Sequence, residues 1–154
     1  MAEEIRRDYE GRAPLLIGVL KGAFVFMADL MRALNMPLTV DFVRVSSYDA
    51  GTTSSGRPRI LQGVRSPIKD RHVLIVEDIV DTGLTNRHLE GYMRRKGAAS
   101  IKFCALLSKP SRRQVEAMID YLGFEIPDRF VVGYGIDYAQ QYRYLPDVCV
   151  LEVA

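Results

Sequence analysis

The chain of 154 residues has only two cysteines and two histidines. Cys104 and Cys149 both lie inside apolar runs, IKFCALL and VCVLEV. They are expected as buried free thiols in a reducing cytoplasm, not as a disulfide. His72 and His88 stand in no motif and are expected as surface or internally satisfied residues. No apolar run approaches the roughly 20 residues of a membrane span. The opening MAEEIRRDYEGR is charged and lacks the apolar core of a signal peptide. A strong charge excess is also missing. The formal net charge of +2 is too small to argue for nucleic acid, although scattered arginines can still serve a small anionic ligand. There is no internal repeat and no low-complexity tract.

What remains is the composition of a folded domain, with 48% apolar and 26% charged residues in a length that suits one core. Continuous apolar runs alternate with helical patterns. Strands are expected at 15–20 (LLIGVL), 38–45 (LTVDFVRV), 73–76 (VLIV) and 101–107. Helices are expected at 24–34, stopped by Asn-Met-Pro, and from about 85 to 96, stopped by Gly97. Residues 110–118 read as polar or helical, and apolar segments follow at 119–126, 130–134 and 147–153. Strands apolar on both faces and separated by helices predict an α/β fold, a parallel sheet covered by helices. Ser46–Gly63 begins with eleven residues that are almost all small, around the single Tyr48. A long small-residue loop of this kind is expected to be a mobile lid or a floppy tip.

The stretch VLIVEDIVDTGLT, Val73–Thr85, carries the chemistry. Glu77, Asp78 and Asp81 fall where the apolar run ends, the edge at which doubly wound sheets bind ligands. The following turn leads into a helix, whose free N–H groups and dipole favour an anion. Gly83 would let the backbone approach a phosphate, and Thr82 and Thr85 add hydroxyl donors. Adjacent carboxylates suit a vicinal diol or a hard Mg²⁺ ion. A sugar phosphate meets both demands. Ordinary helix N-terminal charge accounts for one or two of these acids, but not for the Thr-Gly-x-Thr turn.

This stretch resembles the phosphoribosyl pyrophosphate signature of type I phosphoribosyltransferases. LIGVLKGAFVFMADL, VSSYDAGTTSSG, ALLSKP and GFEIPDRFVVGYGIDYAQQYRYLPDV resemble the 6-oxopurine (hypoxanthine-guanine) branch of that family. The likeness runs from about Ile5 to Glu152. It implies a twisted, mainly parallel sheet with helices on both faces, a core at about 12–122 and a small hood at about 123–154. It also implies purine salvage: phosphoribosyl pyrophosphate and a 6-oxopurine base give nucleotide and pyrophosphate, with Mg²⁺.

The resemblance assigns roles residue by residue. Lys21 and Gly22 follow an unusual non-proline cis peptide and bind pyrophosphate. Glu77 and Asp78 meet the ribose hydroxyls and metal. Asp81 is the general base near N7 of the purine. Thr82, Gly83, Leu84 and Thr85 hold the 5′-phosphate, Leu84 standing where relatives sometimes carry lysine. Lys109 donates to O6 of the base, Phe130 stacks on it, and the backbone around Val131 and Asp137 faces its 2-position. Asp137 also helps hold Mg²⁺, and Arg143 clamps pyrophosphate. Ser47 and Tyr48 form the base of the lid. Met1–Gly11 corresponds to the tail of a longer helix in relatives, so the hood is expected to be shortened. Phe26, Met27 and Met31 are expected either in the core or, because the family oligomerises, at the interface of a homodimer or homotetramer, the second being favoured. Two alternatives keep the fold: action on xanthine or another oxopurine, and a non-catalytic nucleotide sensor that binds RNA. The full set of acids, lysines and lid weighs against the sensor, and a net charge of +2 with scattered arginines gives little support for the basic face it would need.

Overall fold

The computed structural model describes residues 1–46 and 57–152. The chain opens with helix α1 (Ala2–Asp8) and continues through β1 (Leu15–Leu20), α2 (Phe24–Leu34), β2 (Thr39–Ser46), β3 (Arg59–Gln62) and β4 (His72–Val80). Then come α3 (Leu84–Arg95), β5 (Ser100–Ser108), a 3₁₀ turn (Pro110–Arg112), β6 (Tyr121–Glu125), β7 (Val131–Val132) and β8 (Cys149–Val150). Six strands form one sheet in the order β3-β2-β1-β4-β5-β6, and β7 and β8 form a separate antiparallel pair. All pairings in the large sheet are parallel except β2 with β3.

The helices cover both faces, as expected. Leu74 and Val76 of β4 pack with Leu30 and Leu34 of α2 and with Ile5 of α1. Val73 and Ile75, pointing the other way, pack with Leu89 and Met93 of α3. Each such side chain is essentially inaccessible, and burying one contributes about 1.5–3 kcal/mol. Strand order reverses between β1 and β4: one βα unit runs outward to β2, the other to β5. The crevice at such a switch point is where open α/β sheets place ligands.

α1 is tied down at its far end. The Asp8 carboxylate accepts from Lys102 Nζ at 3.1 Å and from the Tyr121 hydroxyl at 2.7 Å. Those two hydrogen bonds hold the Asp8 carboxyl below its usual range. His72 Nδ1 is satisfied by Ser100 Oγ at 2.7 Å, at the end of β4 opposite the crevice.

Several expectations change. β4 does not stop at Val76. It stays paired with β5 through Glu77, Ile79 and Val80, so the two adjacent acids sit on a rigid strand instead of a loop. The end of the expected lid, Arg59–Gln62, is an edge strand on β2. The rest of the lid, Ser47 and Tyr48 included, lies outside the described residues. Phe26 and Met27 belong to the core; of the three expected interface residues only Met31 is exposed. Cys104 is buried as expected, but Cys149 is exposed, because the β7–β8 ribbon leaves one face uncovered. Among the described residues no helix is long and apolar enough to cross a membrane.

Candidate active site

The C-terminal ends of β1 and β4 frame a cleft of about 500 Å³. Its walls include Lys21 and Gly22 after β1, Glu77, Asp78 and Asp81 from β4 and the following turn, and Thr82–Thr85 at the start of α3. Asp137 and Arg143 close it from the C-terminal segment. Thus most of the residues singled out in the sequence converge on one place.

The turn after β1 carries the cis peptide, between Leu20 and Lys21. Gly22 is required by packing. A Cβ there would stand 1.9 Å from Asp78 Oδ2, so the missing side chain is the space that the Asp78 carboxylate occupies. Alternation along β4 turns Asp78 toward α2 and Glu77 toward α3. Glu77 is only 4% exposed, and its Oε1 has no hydrogen-bond partner. Burial, then the neighbouring Asp78, push its carboxyl up to about 8, with Arg113 opposing. Burial likewise raises Asp78. An unpartnered buried acceptor at a cleft calls for a ligand group.

Gly83 caps α3 with φ of +85°, in the left-handed region that favours glycine. A Cβ there would also lie 2.8 Å from the Val115 carbonyl and 2.9 Å from Ala117 Cβ. The glycine therefore makes room for the 113–117 segment, beyond the phosphate approach expected for it. That segment is fastened to the turn, since Gln114 N–H donates to the Thr82 carbonyl at 2.9 Å. The first internal bond of α3 runs from Arg87 N–H to the Gly83 carbonyl at 3.1 Å, which leaves the preceding N–H groups for an anion. Thr82 Oγ1 accepts from Leu84 N–H at 3.3 Å.

Three polar residues escaped the sequence reading. Arg112 Nε lies 3.2 Å from Asp81 Oδ1, an ion pair at the cleft mouth. Arg113 donates to the Asp81 carbonyl and to Ser108 Oγ, both at 2.8 Å. Asn86 is 3% exposed, lines the cleft and leaves Nδ2 without a partner. Asn86 had a signal: it is a polar residue on the buried stripe that continues with Leu89 and Met93. Arg112 and Arg113 had none, because only the 3₁₀ turn folds them back.

Lys109, Phe130 and Val131 lie outside the cleft proper. The Lys109 N–H donates to the Val80 carbonyl at 3.0 Å, which places the residue directly across from the acidic turn. Its Nζ lies 5.9 Å from the centroid of the Phe130 ring. Phe130 is 58% exposed and packs at right angles to Tyr138 with ring centroids 5.6 Å apart. Val131 is buried in β7. On the opposite side, Arg143 Nη2 pairs with Asp137 Oδ1 at 3.1 Å, and Arg143 Nη1 donates to the Gly135 carbonyl at 2.8 Å.

The cleft thus offers cations and helix N–H groups for phosphates and a pair of carboxylates between them, with the exposed Phe130 ring outside it. The chain matches the family model described as phosphoribosyl transferase domain over residues 1–139, and it belongs to that family. Within it, the chain is 47% identical over 154 residues to the hypoxanthine-guanine phosphoribosyltransferase of Bacillus subtilis, covering all of this chain and 86% of that one. It is also 45% identical over 152 residues to the bifunctional protein TilS/HprT of Listeria monocytogenes, covering 99% of this chain but spanning only 24% of that much longer protein. A crystal structure of a hypoxanthine-guanine phosphoribosyltransferase from Bacillus anthracis superposes with a TM-score of 0.92 at 44% identity, covering 98% of this chain and 89% of that one. The hypoxanthine phosphoribosyltransferase of Trypanosoma cruzi in complex with its product IMP gives a TM-score of 0.89 at 46% identity, covering 98% and 85%.

Proposed function

We propose that the chain is a purine salvage enzyme that transfers the 5-phosphoribosyl group of phosphoribosyl pyrophosphate to N9 of hypoxanthine or guanine, releasing IMP or GMP and pyrophosphate. The observation that carries this reading is the buried, unpartnered Glu77 carboxylate beside Asp78, in one cleft with a phosphate-type helix N-terminus and the cations Lys21 and Arg143. A ribose bearing a 5′-phosphate and a pyrophosphate presents those groups in that order.

In the reaction the bond from C1 of the ribose to pyrophosphate breaks, and its electron pair leaves on the pyrophosphate oxygen. N9 of the base supplies the pair for the new bond. The purine proton passes from N7 to the Asp81 carboxylate, a transfer that typically contributes 10²–10⁴-fold. Glu77 and Asp78 hold the ribose hydroxyls, and the N–H groups of Thr82–Thr85 hold the 5′-phosphate. Lys21 and Arg143 meet the negative charge that develops on the leaving group. Lys109 donates to O6 of the base. An adenine amino group there would leave the ammonium unpaired, a mismatch that can reject a substrate strongly. Phe130 supplies the stacking face, and backbone near Val131 and Asp137 faces the 2-position.

The donor set fits Mg²⁺. Among the described residues no three carboxylate, imidazole or thiol groups converge, and Mg²⁺ is usually held by one or two carboxylates with substrate phosphates and water. One or two of Glu77, Asp78 and Asp137 would hold it, directly or through water. When bound, the ion supplies positive charge that neutralises phosphate oxygens.

The test is a spectrophotometric assay with phosphoribosyl pyrophosphate, Mg²⁺, and hypoxanthine, guanine, xanthine or adenine in turn. Turnover is expected with the first two and not with adenine. No turnover with any base would overturn the reading. Asp81→Asn is expected to lower kcat by about 10²-fold or more with little change in substrate binding, and wild-type turnover would remove Asp81 as the base.

A further inference from the structure

The segment Tyr138–Gln141 is a tight hairpin. Tyr138 and Gln141 exchange backbone hydrogen bonds at 3.2 and 2.9 Å, and the two residues between them, Ala139 and Gln140, both have positive φ, +49° and +66°. A two-residue turn of this hand is the tightest way to reverse a ribbon. It also aims the side chain at its tip. Gln140 Oε1 lies 3.3 Å from Lys21 Nζ and 3.3 Å from Arg143 Nη2. The backbone N–H of Gln140 donates to Asp137 Oδ2 at 2.8 Å, which fixes the turn to the same acid that pairs with Arg143.

One neutral oxygen therefore stands between the two cations that the proposed function assigns to the leaving pyrophosphate. Two cations facing one point repel each other unless an acceptor lies between them. Arg143 has other anchors, in Asp137 and the Gly135 carbonyl. Lys21 is exposed and reaches across from the β1 turn to Gln140.

We propose that Gln140 is a positioning residue of the pyrophosphate subsite: its amide oxygen holds the place of a phosphate oxygen between Lys21 and Arg143, and yields it when pyrophosphate arrives. This rests on the proposed function. An amide suits the task because it carries no charge. It accepts from both cations, keeping them converged, yet a phosphate oxygen outcompetes it, because the charge on the anion adds a Coulomb attraction to each cation that a neutral amide lacks. A carboxylate in the same place would form two ion pairs and compete with the ligand on equal terms. The side-chain identity at this one position thereby sets how tightly the cation pair takes pyrophosphate.

The test uses the full chain and equilibrium titration of Mg²⁺-pyrophosphate by calorimetry, together with steady-state kinetics. Gln140→Glu is expected to weaken pyrophosphate about tenfold and to raise KM for phosphoribosyl pyrophosphate by a similar factor, with KM for hypoxanthine unchanged. Gln140→Met, unbranched and of similar length, removes the acceptor that keeps Lys21 and Arg143 converged, and is expected to weaken pyrophosphate and raise KM for phosphoribosyl pyrophosphate about threefold, less than Gln140→Glu does. A merely structural role predicts the reverse order, with Met harmful and Glu benign, and that order would overturn the proposal. So would a Gln140→Glu protein that binds pyrophosphate as the wild type does while turnover persists, which leaves the proposed function standing. A wild-type protein that binds no pyrophosphate overturns the proposed function, and this inference with it.

Discussion

Gly22→Ala gives a sharp test of how the acidic pair is held. The new methyl carbon would sit 1.9 Å from Asp78 Oδ2 and 2.7 Å from Asp78 Cγ, where ordinary contact begins near 3.4 Å. The backbone of β4 is held by β5 on either side of Asp78, at Glu77 and Ile79, so the carboxylate is the part that must turn away. Forcing a side chain off its rotamer costs about 0.5–1.5 kcal/mol. Replacing glycine removes freedom from the unfolded chain and returns about 0.4–1 kcal/mol. The net loss of stability is therefore expected to be under about 1 kcal/mol, a fall in Tm of no more than about 2–4 °C for a chain of this size. Activity should respond far more. A displaced Asp78 loses charge-assisted hydrogen bonds to the ribose, each worth about 1.5–3 kcal/mol, and kcat/KM for phosphoribosyl pyrophosphate should drop about 10- to 100-fold. Calorimetric melting and initial rates on the same preparation separate the two effects. Placed on an Asp78→Ala background, Gly22→Ala should add almost nothing, because the clash has lost its second partner. A kcat/KM within twofold of the wild type would refute the reasoning, as would additive losses in the double variant.

Gly91 lies inside α3, and a Cβ there meets only Arg95 Nη1 at 3.3 Å, the movable end of a long side chain. Gly91→Ala should therefore stabilise by about 0.5–1 kcal/mol, read as a rise in the urea midpoint with unchanged slope; a lower midpoint would contradict it. Gly83→Ala should do the opposite, because φ and the 113–117 segment both exclude a methyl group, and its melting temperature should fall by several degrees with loss of turnover. The Asp8 carboxyl, held below its usual range by Tyr121 and then Lys102, adds stability that is present above the unfolded value of 3.8 and is lost as pH falls through the folded one. The stability gap between wild type and Asp8→Asn should therefore be open near neutral pH and should close below about pH 4; a gap of constant size would rule out the linkage.

The parts of this molecule that could be read from sequence are those where a local pattern has one physical solution. β1, β4 and β5 run apolar on both faces because both faces are covered, and such runs have no other home in a chain of this size. The acid-rich turn before α3 was legible for the same reason: like charges beside a phosphate cradle need a ligand to explain them. Arg59–Gln62 was not legible. Three of its four residues are exposed, and an edge strand carries no apolar imprint. Cys149 was misplaced because an apolar run implies burial only when something covers it. The run through Glu77 and Asp78 was cut short because charged residues ordinarily end a buried strand, and the functional site breaks that rule. Gln140, Arg112 and Arg113 depend on turns that bring distant residues together, which no spacing along the chain encodes.

The anchoring of the first helix has a consequence for how the chain is made. Asp8 finds Lys102 and Tyr121 across 94 and 113 residues of sequence. At synthesis rates of about 5–20 residues per second, the helix waits roughly 5 to 20 s for those partners. Throughout that interval Ile5 and Tyr9, inaccessible in the finished fold, are open apolar surface on the nascent chain. Helix α1 thus leaves the ribosome well before the two residues that lock its end in place.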